Sequence, residues 1–136
     1  MHHVLDIDPA AAAPIWRQIE DGMRRLVASG NLASGAVVPS VRELAKALRV
    51  NPATVSKAYR RLTDAGLLTV RRGEGTFVAE LPSTVLTELR RRLLADGAAV
   101  YVGVATSVGA DREEAVQALE EGWQTGVDGG EGAHDE

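Results

Sequence analysis

Between Arg49 and Leu62 the chain reads RVNPATVSKAYRRL. Thr54, Ser56, Lys57, Arg60 and Arg61 bring hydroxyls, an ammonium and two guanidiniums together within a few helical turns. Such groups bond phosphate oxygens and the polar edges of bases, and a small apolar group such as Ala53 suits a thymine methyl. More cations flank the stretch: Arg42 upstream, Arg71 and Arg72 downstream. Residues 40–95 hold eleven Lys or Arg against five Asp or Glu, a balance of +6 in a chain of net charge −4. From residue 96 onward ten acids meet one base, Arg112. A basic segment inside an acidic chain implies a localised anionic partner, of which nucleic acid is the commonest. A plain solvated basic face would give the same count.

Other chemistries have little support. There are no cysteines, which excludes disulfides, thiolate metal sites and a thiol nucleophile, and fits a reducing, cytoplasmic compartment. His2 and His3 are adjacent and His134 is near the end, without metal-ligand spacing, so no metal is expected. The pairs Glu113–Glu114 and Glu120–Glu121 read as a solvated acidic face. GEG at 73–75 is too short for a phosphate loop and suits a turn. With no nucleophile–base–acid set, an enzyme is not expected, nor any cofactor. No apolar run reaches the roughly 18 residues of a membrane span, and MHHVLDIDP lacks the pattern of a signal peptide.

The elements that would position the polar face follow from periodicity. Ile15, Ile19, Met23 and Leu26 make one apolar face of a first helix that begins near Pro14 and ends at Gly30, with Glu20, Arg24 and Arg25 mostly off that face. Ser40 and Glu43 have the spacing of a capping box, and Val41, Leu44, Ala45 and Leu48 then form the inner side of a short second helix. Asn51 is a good N-cap, and Pro52 follows at the first helical position, where proline is favoured. The third helix buries Val55, Tyr59 and Leu62 and ends at Gly66. LLTV (67–70) and TFVA (76–79) flank an arginine-bearing, glycine-rich tip and predict a β-hairpin. The order helix, helix, tight turn, helix, hairpin is a helix-turn-helix with a wing. Trp16 suits packing under the first helix or a place on a dimer surface, with packing favoured.

The stretch VVPSVRELAKALRVNPATVSKAYRRLTDAGLLTVRRGEGTFVAE (37–80) resembles the winged helix-turn-helix of the GntR family of bacterial transcription regulators. The likeness lies in an ordered series: P-S-x-R-x-L-A, V-x-x-x-T-V, R-x-L-x-x-x-G-L-L and G-x-G-T-F-V. The form VNPATVSKAY is similar to the YtrA subfamily and to the DNA-binding part of the MocR group. A short tail with two predicted helices fits the YtrA type, which dimerises through it. The resemblance implies DNA contacts from the P-S-x-R element (Ser40, Arg42), from the opening of the recognition helix (Asn51, Pro52, Ala53, Thr54) and from the wing tip (Gly73, beside Arg71 and Arg72). Relatives often carry arginine at the positions of Pro52 and Ser56, so base readout here shifts toward Thr54 and Lys57, with Arg60 and Arg61 one turn on. Relatives also usually have glycine at the position of Arg49.

The expected fold is mainly α with a small β-hairpin: a winged helix-turn-helix over 1–80, a two-helix dimerisation region over 81–125, and a disordered acidic tail over 126–136. Leu86, Leu89, Leu93, Val100 and Val104 form a stripe whose later part, 98–109, suits helix or strand, with helix favoured. Val116, Leu119 and Trp123 line a final helix. Two lone helices cannot bury these stripes, so a homodimer on a palindromic stretch of double-stranded DNA is expected, most simply as a repressor. Two other readings remain at this level: a winged protein-interaction module without DNA, and a sensor binding a small-molecule effector near the tail helices.

Overall fold

The computed structural model describes residues 5–132. His2, His3, His134 and the last part of the predicted acidic tail, 133–136, lie outside the described residues. Five helices and one hairpin follow in order: α1 (Ile15–Ser29), α2 (Val41–Leu48), α3 (Pro52–Asp64), β1 (Leu68–Arg71), β2 (Gly75–Val78), α4 (Ser83–Ser107) and α5 (Arg112–Gly132). No helix among the described residues is long and apolar enough to cross a membrane.

The local signals act as their chemistry dictates. The Glu43 N–H donates to Ser40 Oγ at 3.1 Å, and the Ser40 N–H donates to the Glu43 carboxylate at 3.3 Å, completing the capping box of α2. The Asn51 side-chain oxygen accepts from the Ala53 N–H at 2.9 Å, with Pro52 opening α3. The same C-terminal motif closes α2, α3 and α4: one N–H reaches back across the last turn and a second bonds inside it. The pairs are Val50 to Ala45 with Arg49 to Lys46, Leu67 to Leu62 with Gly66 to Thr63, and Ala110 to Ala105 with Gly109 to Thr106. The motif needs a left-handed residue. Gly66 (φ 81°) and Gly109 (φ 76°) supply it freely, whereas Arg49 (φ 58°) must do so with a Cβ.

The core of the first compact unit, which runs through Leu93, is built around α3. Val55, Ala58, Tyr59 and Leu62 are buried against Ile19, Met23, Leu26 and Val27 of α1 and Leu44 and Ala45 of α2. Full burial of a side chain such as Val55 or Leu62 contributes about 1.5–3 kcal/mol. β1 and β2 pair antiparallel, Leu68 with Val78 and Arg71 with Gly75. Leu67, placed in the first strand by its apolar character, spans the junction: its N–H donates to Leu62 O at the end of α3 and its carbonyl accepts from the Ala79 N–H, and the strand itself begins at Leu68. The segment before α2 runs along β2: the Val38 N–H donates to Thr76 O and the Val78 N–H to Ala36 O. The wing is thereby tied to the helical body.

Two boundaries differ from the sequence expectation. Leu86 and Leu89 pack against the core, so the first unit reaches into α4 and does not stop at residue 80. The stretch 98–109 is helical through Ser107, as favoured, and α5 continues to Gly132 past the expected end at 125, since no proline interrupts its backbone ladder. In the second unit, from Leu94 on, Val100, Val104, Val116, Leu119 and Trp123 are all exposed.

Arg49→Gly removes a left-handed strain of about 1–2 kcal/mol while adding unfolded-state entropy, so it should raise stability by about 0.5–1 kcal/mol. A higher urea midpoint at unchanged slope would show this.

Candidate nucleic-acid interface

With one side of α3 held in the core, the other side is fixed. Ala53, Lys57 and Arg60 follow at i, i+4 and i+7 and are all exposed. Thr54 and Ser56 flank this stripe and are half-buried. Asn51 and Pro52 stand exposed at its N-terminal end, where backbone N–H groups and the positive end of the helix dipole suit an anion. Arg42, the second residue of α2, is exposed beside the exposed cap Ser40.

The wing carries the second group. The Glu74 N–H donates to Arg71 O at 2.9 Å, closing a turn in which Gly73 has φ 81°. Arg71, Arg72 and Gly73 are exposed. The Arg71 guanidinium lies 4.2 Å from the centre of the Phe77 ring, on the neighbouring strand.

Arg61 is placed differently from the outward cations. Its Nε donates to Glu20 Oε2 at 2.8 Å, and Arg24 donates to the other carboxylate oxygen at 3.1 Å. Glu20, expected off the apolar face of α1, is 4% exposed. Burial by itself would raise the pKa of Glu20, but the hydrogen bonds and charges of Arg61 and Arg24 outweigh it and hold the carboxyl below its ordinary value. Arg61 therefore joins α3 to α1. Trp16 is half-buried against the core, as expected, and Lys57 and Arg61 lie over its ring at 4.4 and 4.8 Å from the centroid. The cue for this grouping was the i, i+4 spacing of Trp16, Glu20 and Arg24, but nothing along one helix names a partner 41 residues away.

Tyr59 makes a further tie. Its hydroxyl donates to the Pro39 carbonyl at 2.7 Å, linking α3 to the entry of α2. Burial, then the charge of Glu43, push the phenol above its ordinary pKa, so it remains a neutral donor.

The fold and the family of the chain follow from comparison with known proteins. The family described as "Bacterial regulatory proteins, gntR family" matches residues 16–78. The uncharacterized HTH-type transcriptional regulator YhcF of Bacillus subtilis (strain 168) is 32% identical over 120 residues, covering 88% of this chain and 95% of YhcF. The chain belongs to the GntR family. The family's members are transcription regulators; the chain is a DNA-binding regulator of this kind and not an enzyme. The HTH-type transcriptional repressor YtrA of the same organism is 42% identical over 85 residues, covering 62% of this chain and 65% of that repressor. Among solved structures, a GntR family transcriptional regulator from Listeria monocytogenes has the same fold, with a TM-score of 0.74 over 85% of this chain and 98% of that one at 24% identity. The DNA-binding domain of AraR in complex with operator ORX1 matches 55% of this chain and 93% of that one, with a TM-score of 0.50 and 28% identity.

The Glu20 cluster predicts a pH signature. A carboxyl held below its unfolded pKa of about 4.3 stabilises fully above that value and loses its contribution as pH falls through the folded pKa. Glu20→Gln should cost about 1–2 kcal/mol at neutral pH, and the gap from wild type should narrow in urea titrations as pH falls below the unfolded carboxylate value of about 4.3.

Proposed function

We propose that the chain is a homodimeric repressor that sets α3 into the DNA major groove and the wing onto the backbone or minor groove, at an inverted-repeat operator in the cytoplasm. The observation that carries this reading is the exposed Ala53–Lys57–Arg60 stripe, continuous with the cap of α3 and matched by exposed Arg71 and Arg72 on the wing. A recognition helix presents its early residues to base edges, and Ala53, Thr54, Ser56 and Lys57 occupy those positions. Arg42, Arg71 and Arg72 serve as phosphate contacts, which set affinity and its salt dependence. The AraR domain bound to its operator and the naming of YtrA as a repressor support the reading.

Dimerisation rests on the exposed apolar faces of the second unit. Val100 is 70% exposed, Leu119 53% and Trp123 71%, and large apolar side chains left this bare on two successive helices support an interaction site. Leu86 and Leu89 have their partners within the chain, so the contact is proposed for Leu93, Val100, Val104, Val116, Leu119 and Trp123. A two-fold dimer reads half-sites about one DNA turn apart or further. A small-molecule effector is a second reading, supported by an apolar hollow of about 400 Å³ between Tyr101, Ala105, Thr106, Asp111, Ala115 and Leu119.

On a duplex selected from randomised DNA, Lys57→Ala should reduce discrimination against random sequence. Arg71→Ala should weaken binding to every sequence and flatten the salt slope by about one. Mobility shift across a salt series separates the two effects, and equal losses for both variants would reject the division. In sedimentation the wild type should run at twice the 14.4 kDa of one chain, and Val104→Glu with Leu119→Glu at the mass of one. A wild-type monomer would overturn the dimer.

A further inference from the structure

The Lys57 ammonium has a defined place without a counter-charge. The ion pairs among the described residues join Glu20 to Arg24 and Arg61, and Glu88 to Arg91; Lys57 is in none of them. Lys57 instead lies 4.4 Å from the centre of the Trp16 ring, on the second residue of α1. Two i, i+4 pairs oppose each other here. Trp16 and Glu20 on α1 face Lys57 and Arg61 on α3, with Arg61 held by both the ring and the carboxylate. The half-buried indole is itself fixed by packing against the core.

The choice of a ring has a physical consequence. A carboxylate beside Lys57 would hold it, but would also compete with phosphate for the same charge. An aromatic face attracts the ammonium through its quadrupole and leaves the charge un-neutralised. It also restricts a flexible stem whose rotamer entropy would otherwise be lost on binding. The wing repeats the arrangement, with Arg71 over Phe77 at 4.2 Å.

We infer that Trp16 is a positioning residue for DNA recognition: its ring holds the charged Lys57 ammonium on the exposed edge of α3, ready for the groove. This rests on the reading of α3 as the helix that enters DNA. The contact extends the site to a residue of α1, beyond the second and third helices and the wing.

The test is a double-mutant cycle on the full chain, using a duplex selected from randomised DNA and an unrelated duplex of equal length. Trp16→Leu keeps apolar volume and removes the ring face; Lys57→Met keeps the stem and removes the charge. Trp16→Leu should weaken selected-duplex binding roughly three- to fivefold, and should change it far less in the Lys57→Met background. A packing defect alone would weaken both backgrounds equally. Trp16→Phe, with a smaller quadrupole, should fall between wild type and Trp16→Leu, and it carries the cycle if the leucine variant does not fold. If Lys57→Met binds as well as wild type, the reading of α3 itself fails. If Lys57→Met weakens binding but the tryptophan variants do not, or do so equally in both backgrounds, or bind more tightly, the positioning role is overturned.

Discussion

The third helix has to be gripped along one side and left bare along the other, and the rest of the DNA-binding unit follows from that requirement. Val55, Ala58, Tyr59 and Leu62 supply the gripped side, packed between α1 and α2. Apolar packing fixes depth but is non-directional. Direction comes from polar ties at the edges: Tyr59 to the Pro39 carbonyl and Arg61 to the buried Glu20. With α3 fixed in depth and rotation, Ala53, Lys57 and Arg60 are left pointing out.

Charge is distributed to the same end. The +6 of residues 40–95 is spread over α2, α3, the wing and the Arg90–Arg92 run of α4, while the acidic stretch beyond residue 95 is repelled by phosphate. Net charge would have hidden this. Neighbouring rings at Trp16 and Phe77 orient cations without neutralising them, a useful property where affinity depends on releasing counterions from DNA.

Much of this was legible in the sequence because it was local. The capping box of Ser40 and Glu43, the Asn51–Pro52 start and the glycine after α3 each act within one turn of chain, and the structure has them as read. What was not legible depends on groups far apart along the chain. Glu20 looked like a surface acid until α3 brought Arg61 to it, and Arg61 looked like an outward cation for the same reason. Leu86 and Leu89 belonged to an apolar stripe along with Val100 and Val104, and periodicity cannot say where along a helix its own domain ends and another partner begins. Strand β1 begins at Leu68 because the Leu67 N–H is taken by the end of α3, a bond its apolar character does not reveal.

Entry of α3 into DNA is tested most directly by amide chemical-shift mapping of the full chain as a selected duplex is added. It predicts the largest amide changes at Asn51, Ala53, Thr54, Ser56, Lys57 and Arg60 and along residues 71–73, with Arg42 beside them, and small changes at the core residues Ile19 and Met23. Changes concentrated on Val100 to Trp123, with the outward face of α3 unmoved, would contradict it.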